Sequence, residues 1–373
     1  MLDPHLLRTT WARVAQYGEQ VPLYFYGHLF LSHPEVRPMF PPSMAAQRDR
    51  LVAALGAVVA NVDDLGAAVP FLQGLGRDHR KFAVEPGHYP AVGASLLATL
   101  EHFLGPDWTP QAAESWTEAY GIVSQVMTDA AAEAEHTSPP WWDAEIVAHE
   151  VVGGRRDIAR ITIATRLQYP YTAGQSFTLE TAMAPARWRF YTPAHPPRKD
   201  GLMELHVKLV GTVSWQLVNV MGVGDRLRLG PPVGHQLTLA STMPSSDLLL
   251  IAGSTGLAPL RAIVEELAVT PGHGRRVTLY YGARIASDLY DLPRLRELVE
   301  RNASWLNVIP VVSDDYAWEG ERGNVGDVAA ARGAWPGHEV FIVGSAGMCE
   351  HTTARLKEAG VVPGAIHLEE SQP

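Results

Sequence analysis

The first 135 residues carry the hydrophobic pattern of a helical domain. Apolar side chains recur at steps of three and four, and runs of β-branched residues are scarce. Ser43 is a candidate cap for a helix running to about Val62, and Thr109, followed by a proline, for one running to about Glu135. Further helices are predicted at about 4–19, 21–32, 69–79 and 88–104. The pattern therefore predicts a compact all-α domain over residues 1–137.

After a helix-breaking linker, placed at 138–142, the pattern changes to short alternating strands. In 202–210, apolar residues alternate with Glu204, His206 and Lys208, which share the opposite face. Other strands are predicted at about 145–152, 158–165, 175–181, 186–192 and 226–230, separated by glycine and proline turns. This spacing is typical of a small antiparallel β-barrel, which we expect over residues 143–243.

The remaining residues, 244–373, alternate between buried strands and helices. Leu248 opens a continuously apolar run, as expected for a strand buried on both faces. Strands are predicted at about 276–282, 306–312 and 339–343, and helices at about 258–269, 291–301 and 346–359. The alternation predicts an α/β domain with a doubly wound parallel sheet.

Charge and composition narrow the function classes. The formal net charge of -10 argues against nucleic acid and anionic membrane surfaces as partners. A single cysteine, Cys349, excludes an intrachain disulfide and a cysteine-bound cluster or zinc site. The start of the chain does not resemble a signal peptide, and the longest nearly apolar run, 51–62, is too short to span a bilayer. We therefore expect a cytoplasmic protein without stable membrane insertion.

In the helical domain the candidate chemistry centres on His79, within the stretch LGRDHRKF. A lone histidine near a helix end is more often a surface or core residue than a ligand. Aromatic residues at informative positions change that balance: Tyr26 in an aromatic helix, Phe40 in a proline-flanked turn, and Tyr89 ten residues after His79. For any one of these aromatic side chains, ordinary core packing is the competing interpretation.

Residues 1–135 resemble the globin domain of flavohaemoglobins. The resemblance lies in the stretches LYFYGHLF, RPMF, QRDRLVAAL, DHRKFAVEPGHYPAVGASLLATL and WTEAYGIV. It implies a haem b with His79 as proximal iron ligand and Tyr26 as distal hydrogen-bond donor to bound dioxygen. The other roles that the resemblance implies are distal-pocket residues Gln47 and Leu51, a haem-facing Phe40, and a Tyr89 that hydrogen-bonds near the proximal histidine.

Two positions depart from the family pattern on the proximal side. Relatives have a glutamate on the last helix that completes a network with the histidine and tyrosine, and that position is Ala131 here. Glu135 lies one turn further on the same face. Asp78 precedes the histidine where a basic residue is usual, and it is expected to weaken a haem-propionate contact. These departures indicate a weakened proximal network around His79.

In the barrel, Arg189-Phe-Tyr-Thr192 resembles the Arg-x-Tyr-Ser/Thr signature of ferredoxin-reductase-like flavin domains. The resemblance implies that Arg189 pairs with the FAD pyrophosphate, that Tyr191 packs on the flavin ring, and that Thr192 bonds near its reactive nitrogen. Two further segments would complete the FAD site, the turn Gly174-Gln175 and the phosphate segment that runs from Gly211 to Ser214.

The last domain has a glycine-containing turn between an apolar strand and a helix. Backbone amides of Gly253, Ser254, Thr255 and Gly256 would cradle the pyrophosphate of NADH or NADPH at the helix N-terminus. A plain strand-to-helix turn is the alternative interpretation.

Segments near the end of the chain also resemble family segments. The stretch from Val343 through Gly344 to Met348 is similar to the Cys-Gly-Pro-x-x-Met segment beside the nicotinamide, with valine in place of the cysteine. Glu369 is retained as the acidic residue near the terminus, whereas Ser371 stands where relatives have an aromatic residue that covers the flavin. Cys349 follows the methionine, and we expect it to be inert.

The resemblance implies electron flow from NAD(P)H through FAD to the haem, with bound dioxygen converting nitric oxide to nitrate. The alternatives are an NAD(P)H-dependent flavin and haem oxidoreductase with another electron donor or acceptor, and an oxygen sensor or store. NADH and NADPH both remain open: Arg284 could meet a 2′-phosphate or be simply solvent-exposed. The expected partners are small molecules, and the sequence assigns no oligomeric state.

Overall fold

A computed structural model describes residues 2–62 and 65–369 of the 373-residue chain. The described chain divides into two compact units, the first ending at Trp141 and the second beginning at Trp142. Ser371, discussed above as a replacement for a terminal aromatic residue, lies outside the described residues.

The first unit is all-helical. Its helices are α1 (Pro4–Ala15), α2 (Gln20–Ser32), α3 (Ala45–Ala60), α4 (Leu65–His79), α5 (Tyr89–Leu104) and α6 (Pro110–Glu135). The predicted cap at Thr109 is confirmed, because its hydroxyl oxygen accepts a hydrogen bond from the amide of Ala112 at 3.2 Å. The predicted cap at Ser43 is wrong: α3 begins one residue later, and Met44 precedes it without a side-chain cap.

Two further boundaries differ from the prediction. Helix α1 ends at Ala15 rather than near residue 19, and a left-handed glycine, Gly18, follows in the turn. Helix α4 begins at residue 65 rather than 69, so Pro70 lies inside it. Proline has no N–H, so the second turn lacks the hydrogen bond that residue 70 would otherwise donate to the carbonyl of residue 66.

The helices pack around a common apolar core, and α4 approaches α6 closely. A Cβ atom at Gly76 of α4 would lie only 2.7 Å from the Cα of Met127 in α6. Glycine is therefore required there to let the helix that ends at His79 lie against α6. The most deeply buried core residues include Leu7, Val14, Phe25, Leu29, Leu100 and Trp116.

The second unit begins with an antiparallel sheet. Its elements are β1 (Trp142–Val152), β2 (Ile158–Thr165), β3 (Ser176–Thr181), β4 (Arg189–Tyr191), β5 (Leu202–Lys208), α7 (Thr212–Asn219) and β6 (Arg226–Val233). The strand order is β4-β3-β6-β1-β2-β5, and every neighbouring pair is antiparallel. The strand predictions are confirmed, but helix α7, which starts within the predicted phosphate segment, was not predicted.

The chain then forms a parallel sheet flanked by helices. Its elements are β7 (Asp247–Gly253), α8 (Leu257–Ala268), β8 (Val277–Ala283), α9 (Leu292–Asn302), β9 (Leu306–Val312), β10 (Glu321–Arg322), α10 (Val325–Ala330), β11 (His338–Val343), α11 (Ala346–Glu358) and β12 (Ile366–Leu368). The order is β10-β9-β8-β7-β11-β12, with all neighbours parallel. The predicted doubly wound sheet is confirmed, and β10, α10 and β12 were not predicted.

The strand order locates the crevice of this sheet. From β7 the chain moves outward to β8 and β9 on one side, and β11 and β12 lie on the other. Ligands of open α/β sheets bind at this switch point, beyond the carboxyl ends of the strands. The crevice therefore lies between the loops that follow Gly253 and Val343.

Candidate functional site

The first candidate site is an aromatic cluster around Tyr26 of α2. The Tyr26 ring contacts those of Phe30 and Phe40, with centroid distances of 5.7 and 5.6 Å. Its hydroxyl donates to the backbone carbonyl of Gln47 at 3.4 Å. Burial raises the pKa of Tyr26 to about 12, so the hydroxyl stays neutral and remains a hydrogen-bond donor at physiological pH.

Helix α3 supplies the other residues predicted for the distal side. Gln47 and Leu51 are four residues apart, which places them one turn apart on the same face. Leu51 and Phe40 are partly buried and pack against the same core as Tyr26. The structure thus brings together Tyr26, Phe40, Gln47 and Leu51, although they come from three segments of the chain.

His79 is the last residue of α4. Its Nδ1 lies 2.7 Å from the carbonyl oxygen of Leu75, so Nδ1–H donates and Nε2 carries the lone pair of the neutral ring. Burial lowers the pKa of His79, which favours that neutral form. An oriented neutral imidazole with a backbone partner on its far nitrogen is suited to ligating haem iron. The residues present therefore fit a haem.

The structure shows which basic residues interact with Asp78 and Glu135, the two acidic residues noted near His79 in the sequence. The carboxylate of Asp78 pairs with Lys81. Arg80 is buried and donates to the carbonyl of Ser138 at 2.7 Å. Burial lowers the pKa of Arg80, while the carboxylate of Glu135 opposes that shift. The carboxylate that lies one turn beyond the family position therefore acts on the residue after His79.

Tyr89 is the first residue of α5 and is half-buried. Burial raises the pKa of its hydroxyl, and its backbone carbonyl accepts a hydrogen bond from Tyr120 at 2.7 Å. Tyr120 in turn packs where a side chain at Gly93 would collide with its ring. The proposed partnership between Tyr89 and His79 stays a prediction.

The second unit carries the flavin signature on β4 and the residue after it. Thr192 and Ser176 share a hydrogen bond between hydroxyl oxygens of 2.7 Å, and Ser176 donates to the carboxylate of Glu369 at 3.4 Å. Burial raises the pKa of Tyr191 to about 12, although Arg189 lowers it. A hydroxyl chain thus connects the signature to the carboxylate near the end of the chain.

The predicted turn at Gly174 is tightly held. Gly174 has a φ of +89°, and a Cβ atom there would lie 2.7 Å from the carbonyl carbon of Leu237. Gln175 secures the turn by accepting from the amide of Thr172 at 3.0 Å and donating to the carbonyl of Gly234 at 3.1 Å. Its side chain therefore supports the backbone, and its contact with FAD stays a prediction.

Ser214 has a local role that the sequence interpretation did not include. Its hydroxyl oxygen accepts from the amides of Val210 and Gly211, both at 2.9 Å, at the start of α7. Such a bond pattern stabilises a helix N-terminus. The expected contacts of Gly211 and Ser214 with a phosphate stay a prediction.

Loops from both sheets line one cavity of about 790 Å³ in the second unit. A Cβ atom at Gly256 would lie 2.6 Å from the carbonyl carbon of Val343, and one at Gly253 would overlap the sulfur of Met348. The glycines therefore keep the backbone at the ends of β7 and β11 close together. Predicted residues that line the cavity are Tyr191, Thr192, Gly253, Ser254, Thr255, Gly256, Gly344, Met348 and Glu369.

Among the residues of this cavity that the sequence interpretation missed are His206 and Lys208 of β5. The Lys208 ammonium donates to the hydroxyl of Ser254 at 3.3 Å. Their alternation with apolar residues was visible in the sequence, but alternation alone does not reveal whether the polar face meets solvent or another element. Cys349 is half-buried, and burial raises the pKa of its thiol, so the thiol is the dominant form at neutral pH.

Within residues 2–62 and 65–369, no helix is both long and apolar enough to cross a membrane.

Comparisons with known families match the three parts of the chain separately. The family described as Globin matches residues 23–127. The family described as Oxidoreductase FAD-binding domain matches residues 143–237, and Oxidoreductase NAD-binding domain matches residues 250–354. The matches follow the order of the helical unit, the antiparallel sheet and the parallel sheet.

Curated relatives share the whole layout or its reductase part. A flavohemoprotein of Bacillus subtilis is 25% identical over 389 aligned positions, covering 98% of this chain and 95% of the relative. The reductase subunit of an aromatic O-demethylase from Amycolatopsis is 32% identical, over 65% of this chain and 73% of that protein.

Among solved structures, a flavohemoglobin of Malassezia yamatoensis, crystallised with bound FAD and heme, shares the fold with a TM-score of 0.80. It is 21% identical, and the match covers 98% of this chain and 97% of that one. The chain belongs to the flavohaemoprotein family, in which a globin is joined to FAD-binding and NAD-binding oxidoreductase domains.

Proposed function

We propose that this protein passes electrons from NAD(P)H through FAD to a globin haem b and, with dioxygen, oxidises nitric oxide to nitrate. The balanced reaction consumes two nitric oxide and two dioxygen molecules per NAD(P)H and yields two nitrates, NAD(P)⁺ and a proton. The observation that carries the proposal is the buried neutral hydroxyl of Tyr26 in the same helical unit as the oriented imidazole of His79.

The groups that this chain would bind supply the redox chemistry: FAD takes up a hydride and releases single electrons, and haem iron binds dioxygen. His79 would hold the iron through Nε2, because its Nδ1–H is committed to Leu75. Tyr26 would donate a hydrogen bond from its neutral hydroxyl to dioxygen held in the distal pocket. The aromatic rings of Phe30 and Phe40 pack on the ring of Tyr26, which is buried.

In the second unit, the chain's own residues would orient the flavin and the dinucleotide. Tyr191 and Thr192 lie at the cavity wall, and Thr192 is fixed by its hydrogen bond to Ser176. The backbone after Gly253 begins a helix, whose N-terminal amides suit a pyrophosphate. The relatives that match this unit support a reductase role.

The direct test compares Tyr26→Phe with Tyr24→Phe in the full-length, cofactor-loaded protein. Both tyrosines belong to α2, but Tyr24 stacks on His102 with a centroid distance of 4.1 Å and is absent from the Tyr26 cluster. One hydrogen bond to developing charge contributes roughly 1.5–3 kcal/mol, or about 10- to 100-fold in rate. Tyr26→Phe is therefore expected to slow nitrate formation by that factor and leave flavin reduction unchanged.

Tyr24→Phe is the control against which the rate of Tyr26→Phe is compared. Tyr24→Phe is expected to form nitrate at the rate of the unchanged protein, because its hydroxyl is remote from the predicted oxygen site. Equal rates for the two variants would contradict the role proposed for Tyr26. No nitrate from the unchanged protein, supplied with NAD(P)H, dioxygen and nitric oxide, would contradict the dioxygenase proposal itself.

A second candidate function keeps the cofactors but uses another electron donor or acceptor. It is favoured by Ala131, which cannot supply a proximal carboxylate, and by Glu135, whose charge acts on Arg80. A less basic proximal histidine is a weaker electron donor to iron. Absorbance changes on adding NADH without nitric oxide separate the candidates: flavin reduction without haem reduction would favour the second.

A further inference from the structure

The polar face of β5 is covered by the nucleotide-binding part of the second unit. The His206 side chain has 0% exposure and that of Glu204 only 15%. Alternation of polar and apolar residues usually places the polar face in water. Here the covering side chains come from α8, from α9 and from the turn before α9, so the covered face lies where the antiparallel sheet meets the parallel one.

Glu204 is the hub of an ionic network on this face. Its carboxylate accepts hydrogen bonds from Nε2 of His206 at 3.0 Å, from Arg261 at 2.9 Å and from Arg294 at 2.9 Å. Burial alone would raise the pKa of Glu204, but the His206 hydrogen bond and the Arg261 charge outweigh it and hold the pKa well below its usual range. The carboxylate is therefore charged under all ordinary conditions.

A second carboxylate extends the network to another strand of the antiparallel sheet. Asp291, whose side chain is 0% exposed, accepts from Arg261 at 3.0 Å and from Arg160 of β2 at 3.4 Å. The Tyr290 hydroxyl, whose pKa is raised well above its usual range by burial, donates to Nδ1 of His206 at 2.9 Å. Four of these bonds join one sheet region to the other: Arg261–Glu204, Arg294–Glu204, Arg160–Asp291 and Tyr290–His206.

The same strand also reaches the dinucleotide loop. Lys208, two residues beyond His206, donates to Ser254 at 3.3 Å. Ser254 lies between Gly253 and the start of α8, and Arg261 projects from that same helix. Lys208 through Ser254, and Glu204 through Arg261, thus connect the flavin-binding sheet to the loop and helix that would hold the dinucleotide.

We infer that the network around Glu204 is a positioning device that fixes the distance between the flavin and nicotinamide subsites. This inference rests on the proposed function, in which a hydride leaves the nicotinamide with its electron pair and bonds to the flavin, so that NAD(P)H is oxidised and FAD reduced. Glu204 and Arg261 act through the elements that they hold and are positioning residues. A displacement of about 1 Å at a reacting centre costs on the order of 100-fold in rate.

The test replaces Glu204 by glutamine in the full-length holoprotein and uses Glu265→Gln as a matched control. Glu265 also accepts from Arg261, at 2.8 Å, but it lies four residues further along α8, so this bond stays within one helix. Both variants remove one carboxylate charge from the same arginine. In Glu204→Gln, Arg261 keeps Asp291 and Glu265 as partners, so no buried charge is left unpaired.

Three measurements separate positioning from stability alone: the limiting rate of flavin reduction at saturating NADH, amide hydrogen exchange of residues 253–256, and the FAD content. We expect Glu204→Gln to lower the limiting rate about tenfold, corresponding to about 1.4 kcal/mol. It should also raise hydrogen exchange in 253–256 and leave the FAD content unchanged. Glu265→Gln should stay within twofold of the unchanged protein in all three measurements.

Equal flavin-reduction rates and equal exchange in the two variants would overturn the inference, as would a lower thermal midpoint with an unchanged rate. If Glu204→Gln does not fold, Tyr290→Phe takes its place, since it removes only the hydroxyl that holds His206. Tyr290→Phe is then expected to lower the limiting rate in the same way, and an unchanged rate would refute the inference. Failure of the unchanged protein to reduce its flavin with NADH or NADPH would refute the proposed function together with the inference.

Discussion

Replacement of Gly256 by alanine should damage the nucleotide-binding crevice through the backbone. The Cβ atom would lie 2.6 Å from the carbonyl carbon of Val343 and 3.0 Å from the amide nitrogen of Gly344, whereas ordinary contacts are 3.4–4 Å. The gap must therefore widen by about 1 Å. Val343 ends β11, which is paired on both sides, with β7 and with β12, so the strand cannot yield easily.

The loss in free energy of unfolding depends on which atoms must move. Overpacking by one methyl group usually costs about 1–3 kcal/mol, and a backbone collision belongs at the upper end. At roughly 2–4 °C per kcal/mol for a unit of this size, the thermal midpoint of the second unit should fall by about 6–12 °C. Movement of the α8 N-terminus by about 1 Å should also weaken dinucleotide binding about 10- to 100-fold, since hydrogen bonds to a charged group contribute roughly 1.5–3 kcal/mol.

Two other glycines of the same sheet region calibrate the result. At Gly253 the obstructing atom is the sulfur of Met348, the far part of a flexible side chain, so Gly253→Ala should cost less than Gly256→Ala. At Gly364 a Cβ atom would meet no described atom within 4 Å, so Gly364→Ala should leave the midpoint unchanged. Calorimetry and NADH titration measure both quantities. A midpoint for Gly256→Ala within 2 °C of that for Gly364→Ala would refute the reasoning.

Three further predictions concern capping, pH and cofactor choice. Thr109→Ala should destabilise the helical unit by about 1 kcal/mol in thermal unfolding, whereas Ser43→Ala should have no effect because the Ser43 side chain caps no helix. The folded-state pKa of Glu204 is lowered, so the stabilisation that its carboxylate contributes is present above about pH 4.5 and is lost as the pH falls towards that lowered pKa. The difference in thermal midpoint between the unchanged protein and Glu204→Gln should therefore be constant from pH 8 to 5 and shrink below about pH 4.5. Arg284 donates a hydrogen bond to Asp314 at 2.7 Å, so Asp314→Asn should release Arg284 towards a 2′-phosphate and lower the KM for NADPH relative to that for NADH. An unchanged ratio of the two KM values would show that Arg284 does not bind this phosphate.

The sequence was sufficient to predict a helix or strand when the residues that determine it lie within that element. The capping hydroxyl of Thr109 and the proline after it lie within the first turn of α6, so the start of that helix could be predicted. The continuous apolar run from Leu248 required a strand buried on both faces, and β7 is the strand between β8 and β11. The Ser43 prediction failed because capping residues are common in loops, and only the path of the chain decides which of them precedes a helix.

For the candidate flavin and haem residues, too, the sequence suggested which residues matter, and the structure showed what they contact. The family resemblance of the surrounding stretches implied the roles of Tyr26 and His79. The ring contacts of Tyr26 and the Leu75 bond of His79 became visible only in the folded chain. Likewise the family resemblance of residues 211–214 placed Ser214 in a phosphate segment, while the structure shows its hydroxyl accepting from the backbone at the start of α7. Competition between a ligand and the backbone for one hydroxyl cannot be decided from residue type.

The order of the three domains and the strand in 202–210 could be predicted from the sequence, because hydrophobic periodicity shows which side of an element is buried. It could not determine what covers the polar side of β5. Glu204 and Arg261 are 57 residues apart and His206 and Tyr290 are 84 apart, and their contacts exist only once both sheets have formed. Only the folded chain shows that this polar face lies between the flavin-binding and nucleotide-binding parts, since burial of charge depends on partners that no local pattern encodes.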